Sequence, residues 1–155
     1  MAFNNFEGGA AGAWTPSLLH GCTGSSPSNW GYVLGGPGVA GTGYVASWAS
    51  TMPIPTHTQA RVLGAYYQID TWDGETGWVK FNGTQVWVSP PFTTAATSTS
   101  AFSYCGSTGF TDAYVYLNAT AAHTASKLTV EVGSTLNQPP SDESFALDKI
   151  GRAHV

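Results

Sequence analysis

The stretch Gln59-Ala60-Arg61-Val62-Leu63-Gly64-Ala65-Tyr66-Tyr67-Gln68-Ile69-Asp70 decides the fold class, because it reads as one long β-strand. It contains no proline, and, as elsewhere in the chain, no convincing helical period with helix caps accompanies it. Alternation places Arg61, Leu63, Ala65, Tyr67 and Ile69 together, and that face is expected to meet the core. Tyr66 is then expected to point outward. Upstream, Pro53-Ile54-Pro55 marks a boundary, since proline cannot donate to a central ladder. Downstream the strand runs directly into the acidic turn Thr71-Trp72-Asp73-Gly74-Glu75-Thr76.

On either side lie shorter runs of the same kind, separated by Gly, Pro, Ser and Asn clusters. Phe3–Glu7, Trp30–Leu34 and Gly43–Trp48 precede the long strand. Gly77–Asn82 and Gln85–Ser89 form a hairpin across Asn82-Gly83, a dipeptide suited to a type I′ turn. Thr93–Ser103 reads as a long Thr/Ser-rich loop. Asp112–Asn118 alternates Ala113, Val115 and Leu117 against Tyr114 and Tyr116, and Lys127–Val132 turns Leu128, Val130 and Val132 inward. Ser144–Ile150 closes the series. About nine strands with such punctuation, and no long helix, predict an all-β, two-sheet antiparallel jelly-roll sandwich.

Residues 1–155 are long enough for a single domain with its own core. Charged residues make up only 9% of the chain, the net charge is −4 and no basic cluster exists, which excludes nucleic acid as a partner. No apolar run approaches the roughly 18–20 residues that span a bilayer, so no direct membrane insertion is expected. The N-terminus lacks the basic and apolar regions of a signal peptide, and the chain reads as a mature domain or one excised from a larger extracellular protein. Cys22 and Cys105, each in a Gly/Ser-rich segment, read as one disulfide, with two free thiols as the alternative. Asn82-Gly83-Thr84 and Asn118-Ala119-Thr120 are N-glycosylation sequons. Together these features favour an extracellular or cell-surface location.

The acids are unevenly placed. Of nine carboxylates, Asp70, Asp73 and Glu75 fall in one turn and Asp142 and Glu143 in another, with no Lys or Arg in either segment. Such groups repel one another unless a cation or hydrogen-bond donors compensate. Oxygen ligands on a Gly-containing loop suit calcium, which gives Asp70, Asp73, Glu75 and Asp142 as expected ligands. The alternative is turn chemistry, with Asp70 and Asp73 accepting backbone N–H bonds. Trp72 is either a stacking residue over this loop or a plug beneath it. The spacing is not that of an EF-hand.

Alternation also turns Tyr66, Trp78, Tyr114 and Tyr116 outward, where flat aromatics would stack on sugar rings or on a protein partner unless a loop covers them. Glu75 with Glu143 is the sole pair that suggests a glycosidase. His20, His57, His123 and His154 show no metalloprotease spacing, and no nucleophile elbow or phosphate-binding loop is present. An enzyme is not expected.

Two resemblances add to this. Asn5-Phe6-Glu7-Gly8-Gly9 with Trp14, and Glu143-Ser144-Phe145-Ala146-Leu147-Asp148-Lys149-Ile150, resemble the terminal strands of galactose-binding-like, jelly-roll carbohydrate-binding modules. The resemblance implies that Glu7 and Asp148 hold a second, structural calcium. Over residues 5 to 150, the ordered segments Cys22, Val33-Leu34-Gly35-Gly36, Pro55-Thr56-His57-Thr58, Ile69–Glu75, Cys105-Gly106 and Asp142-Glu143-Ser144 are similar to a module of ciliate and green-algal surface proteins. That module implies an extracellular β-sandwich, often within long multidomain chains, and no particular ligand. Two functions are expected from the whole. One is a calcium-stabilised binding or adhesion module for a polysaccharide or glycoprotein glycan. The other is a structural subunit of a fibre, coat or matrix that packs against identical or related extracellular subunits.

Overall fold

The computed structural model describes residues 2–22, 31–93, 103, 105–107 and 109–154. Trp30 and the interior of the Thr93–Ser103 loop lie outside them. Eleven strands are present among the described residues, and no helix: β1 (Ala2–Asn4), β2 (Trp14–Thr15), β3 (Leu19–Cys22), β4 (Gly31–Gly35), β5 (Val45–Ala49), β6 (Gln59–Asp70), β7 (Gly77–Phe81), β8 (Thr84–Val88), β9 (Ala113–Ala122), β10 (Thr129–Ser134) and β11 (Glu143–His154). All nine expected strands are found, Gln59–Asp70 with its expected ends and the others with shifted ones. The two additions, β2 and β3, are two and four residues long, too short for an alternating pattern to show.

Two antiparallel sheets face each other. One runs β3-β4-β11-β6-β9, with β1 also on β11, and the other runs β2-β5-β10-β7-β8. The β7–β8 turn has Asn82 and Gly83 both at positive φ (48° and 81°), as a type I′ turn requires.

The expected phase of β6 is reversed. Val62 and Tyr66 face the sandwich interior and are fully buried, with Leu34, Leu117, Val130, Val132, Phe145 and Ile150 in the same core. Tyr66 is therefore no surface residue. Its ring stacks on Phe145 at 5.3 Å, meets Trp72 edge-on at 6.4 Å, and its hydroxyl donates to the Gly133 carbonyl at 3.1 Å. A Cβ on Gly77 would sit 2.3 Å from this ring, so a glycine is required there. Burying side chains of this size contributes about 1.5–3 kcal/mol each. The opposite face of β6 is apolar too: Ala65, Tyr67 and Ile69 pack with Val33, Ala146, Cys22 and Cys105 in a second, outer cluster. Both faces of the strand are covered, so the pattern alone could not choose between them.

A bulge in β11 keeps its inward face consistent. Phe145 and Leu147 point into the core, and strict alternation would next bury Lys149. Instead the register shifts between Asp148 and Gly151, Lys149 takes φ 52°, and Ile150 enters the core. Asp148 stays on the outer face and is wholly buried.

Candidate functional site

The acidic turns pack at one end of the sandwich, but each carboxylate has its own protein partners. Asp70 ends β6 in a left-handed conformation (φ 66°), and its Oδ1 accepts the Ser107 N–H at 2.7 Å. A Cβ on Gly106 would lie 2.2 Å from the other oxygen. Asp112 accepts the N–H groups of Asp70 (3.1 Å) and Cys105 (2.9 Å). These two aspartates fasten the 105–107 segment over the outer cluster, where Cys105 is disulfide-bonded to Cys22. Burial, the largest effect, pushes the Asp70 carboxyl up to about 6; the Ser107 N–H opposes it, while Asp112 and Asp142 reinforce it.

The other expected ligands diverge as well. Asp142 accepts the Thr71 hydroxyl at 3.0 Å. Glu75 accepts the Asp73 N–H at 2.7 Å and the Asn137 amide at 2.8 Å. Glu143 Oε1 accepts the N–H groups of Asn137 (3.0 Å) and Gln138 (2.8 Å), while its Oε2 is buried without a hydrogen-bond partner, as is one oxygen of Asp148. Asp73 is exposed. Among the described residues no group of three or more His, Cys, Asp or Glu is arranged to hold a metal ion. Asp70, Asp73, Glu75 and Asp142, the expected calcium ligands, are thus not gathered into one such group in this structure. Backbone and side-chain N–H donors supply most of the compensation that the sequence alone left open to a cation.

Glu7 and Asp148 differ. Asp148 Oδ2 is buried without a hydrogen-bond partner, and the nearest cation, the exposed Lys149 ammonium, is 3.9 Å away. Burial first, with the Glu7 charge adding to it, pushes the Asp148 carboxyl up to about 6, against the pull of the Lys149 N–H and ammonium. Glu7 lies against Gly31, whose φ is 65° and whose Cβ would fall 2.1 Å from the Glu7 carboxylate. Asp148 thus has a buried oxygen open to a cation, and Glu7, itself exposed, adds a second negative charge to its surroundings.

The expected aromatics separate. Trp72 is buried, sealing the core beneath its turn, and its indole N–H donates to the Ser144 carbonyl at 2.8 Å. It is the plug and offers no stacking face. Trp78 lies on the outer face of the five-stranded sheet, its N–H bonded to the Ser134 carbonyl at 3.0 Å and the Lys80 ammonium 4.5 Å above the ring. Tyr114 and Tyr116 lie on the outer face of the other sheet and are 57% and 55% exposed. They share one side of β9, an edge strand, with Asn118 next along it. Across the ladder stand Tyr67, Ala65, Leu63 and Arg61, and Arg61 Nε donates to Asn118 Oδ1 at 3.0 Å. Tyr67 supports Tyr114 from behind, with ring centroids 5.7 Å apart.

One feature had no sequence signal beyond two isolated histidines. His57 and His123 are buried and stacked at 4.9 Å, with Nε2 of the first 2.6 Å from Nδ1 of the second. His57 Nδ1 donates to the Pro55 carbonyl, and His123 Nε2 lies 3.1 Å from the Asn82 amide nitrogen. This chain ties the approach to β6 to the end of β9 and the β7–β8 turn.

No family model and no curated protein matches the chain in sequence. Solved structures do match in shape. A family 35 carbohydrate-binding module from an environmental isolate aligns with a TM-score of 0.56 at 9% identity, covering 99% of this chain and 93% of that one. Dimeric latent PorU from Porphyromonas gingivalis aligns at 0.53 and 17% identity over 88% of this chain, which spans only 12% of PorU. A family 36 carbohydrate-binding module in complex with calcium and xylotriose aligns at 0.49 and 11% identity, covering 99% and 100%. The chain therefore has the jelly-roll β-sandwich fold of carbohydrate-binding modules.

Proposed function

We propose that this chain is a non-catalytic, extracellular binding module that recognises a polysaccharide or glycoprotein glycan on the outer face of β9 and β6. The carrying observation is the Tyr114–Tyr116 pair, each more than half exposed on a hydrogen-bonded ladder. Two aromatic faces spaced along one strand can stack against successive pyranose rings, and Arg61 and Asn118 add a donor and an amide beside them. The fold shared with carbohydrate-binding modules supports this reading by analogy. Glu75 and Glu143 support its non-catalytic part: both are buried and engaged by Asn137. Calcium at Glu7 and Asp148 is the expected structural ion. A glycan array with wild type, Tyr114→Ala, Tyr116→Ala and Trp78→Ala tests the site. Binding should be lost in either tyrosine variant and kept in Trp78→Ala; sugar binding indifferent to both tyrosines would refute it.

A second reading has its own observation. β9 is an uncharged, proline-free edge strand from Ala113 to Ala122, without the features that usually protect an edge from pairing with another chain. A structural subunit would join copies there. Light scattering that shows concentration-dependent assembly, with a silent glycan array, would select this reading.

A further inference from the structure

The fold treats the two sequons differently. Asn82 sits in the β7–β8 turn with both ends of its side-chain amide engaged: Oδ1 accepts the Thr129 N–H at 2.8 Å and Nδ2 lies 3.1 Å from His123 Nε2. The residue two places before it is Lys80, which offers no ring. Asn118 stands exposed on the outer face of β9, with Tyr116 before it and Thr120 after it on the same side, both exposed as well. Leu117 and Ala119, between them, are buried in the core. Arg61 orients the Asn118 amide. A guanidinium only donates, so the atom it meets at 3.0 Å is the oxygen, Oδ1. Arg61 pairs with Thr120 across the ladder and approaches from that end, which turns Nδ2 away from it. Tyr116 lies on the other side of Asn118 from Thr120.

We infer that Asn118 carries an N-linked glycan whose first sugar stacks on the Tyr116 ring, so that the protein's own glycan covers this part of the β9 face. In the transfer, Asn118 Nδ2 forms a bond to C1 of the sugar and the bond from C1 to the diphosphate of a lipid-linked oligosaccharide donor breaks. The amide loses one proton and the lipid diphosphate departs. The carbonyl is untouched, so Oδ1 keeps its bond to Arg61. Same-face neighbours on a strand stand roughly 7 Å apart, and a ring that is 55% exposed presents its face to an apolar side of the attached sugar. Tyr114 continues the same surface one step further. The inference holds with or without a sugar-binding function. Under that reading, which it then deepens, the attached glycan competes with an external one for Tyr116.

The test begins with protein secreted from a eukaryotic host that adds high-mannose glycans. Mass spectrometry should find the Asn118 peptide glycosylated. Trimming with an endoglycosidase then leaves the first N-acetylglucosamine on the folded protein. Its ring protons should lie upfield of their positions in the isolated glycopeptide and show nuclear Overhauser contacts to the Tyr116 ring. The upfield shift should vanish in Tyr116→Leu. An unmodified Asn118 in the secreted protein, or a first sugar with no contact to Tyr116 in the wild type, would overturn the inference. The wild-type spectra decide the question even if the variant fails to fold. Thr120→Ala removes the sequon and leaves Asn118 in place, so a glycan array on that unmodified protein tests the sugar-binding reading by itself; silence there would refute that reading and leave this inference standing.

Discussion

The indole of Trp78 fills the space that a side chain at position 133 would need: a Cβ on Gly133 would lie 2.3 Å from Trp78 Cζ2. The glycine in β10 is therefore what allows the ring to lie flat on the five-stranded sheet and its N–H to reach the Ser134 carbonyl. Gly133→Ala should lift the ring and cost about 1–3 kcal/mol, the usual range for overpacking. Urea denaturation measures the loss, and it should shrink in a Trp78→Ala background. Equal losses in both backgrounds would place the strain elsewhere.

The disulfide closes a loop with a sequence separation of 83 and secures the segment that covers the outer face of β6. The Cys22→Ala/Cys105→Ala double variant should lose roughly 4.5 kcal/mol, as the loop-entropy relation gives for a loop of this length. Denaturation curves of the two proteins check this. The variant should also expose Tyr67, which rests under that segment.

Asp70 makes a pH prediction. Its folded carboxyl titrates at about 6 against an ordinary 3.8, so the folded state holds the proton more tightly than the unfolded chain. Its favourable contribution is complete at low pH and declines as pH rises through about 6. Asp70→Asn can still accept the Ser107 N–H and tolerates the left-handed backbone. The difference in melting temperature, variant minus wild type, should grow in the variant's favour between about pH 5 and about pH 7, one unit either side of the shifted value. A difference that stays flat with pH would show that Asp70 is not the group responsible.

Calcium should raise the melting temperature through Asp148. Binding to the folded state alone adds about 2.7 kcal/mol at a hundredfold excess over Kd. Asp148→Asn and Glu7→Gln should each abolish most of the calcium-dependent shift, whereas Asp73→Asn should leave it intact. Melting curves in chelator and in millimolar calcium provide the comparison. The opposite pattern would return the ion to the Asp70–Glu75 turn.

Much of the architecture was determined by the sequence itself. Lys127–Val132 alternates cleanly because only one of its faces is buried, and Asn82-Gly83 specifies its own turn because both residues accept positive φ. The phase of β6 was not legible. Val62 and Tyr66 on one side are as apolar as Ala65, Tyr67 and Ile69 on the other, and both sides are covered. Only the docking of the disulfide-tied segment shows which face is the sandwich core. The acids tell the same story. Their clustering is a property of the sequence, but the direction of three carboxylates is set by neighbours distant along the chain, Ser107 for Asp70, Asn137 for Glu75 and Thr71 for Asp142, while Glu143 is held by the nearby Asn137 and Gln138. A carboxylate can be compensated by a cation or by N–H donors, and the choice depends on which groups the fold brings within about 3 Å. Arg152, whose guanidinium carbon sits 4.0 Å from the centroid of Trp48 and 5.8 Å from that of Trp14, is the clearest case, since nothing local to it predicts two tryptophan faces. Its surroundings exist only once β11 crosses β2 and β5.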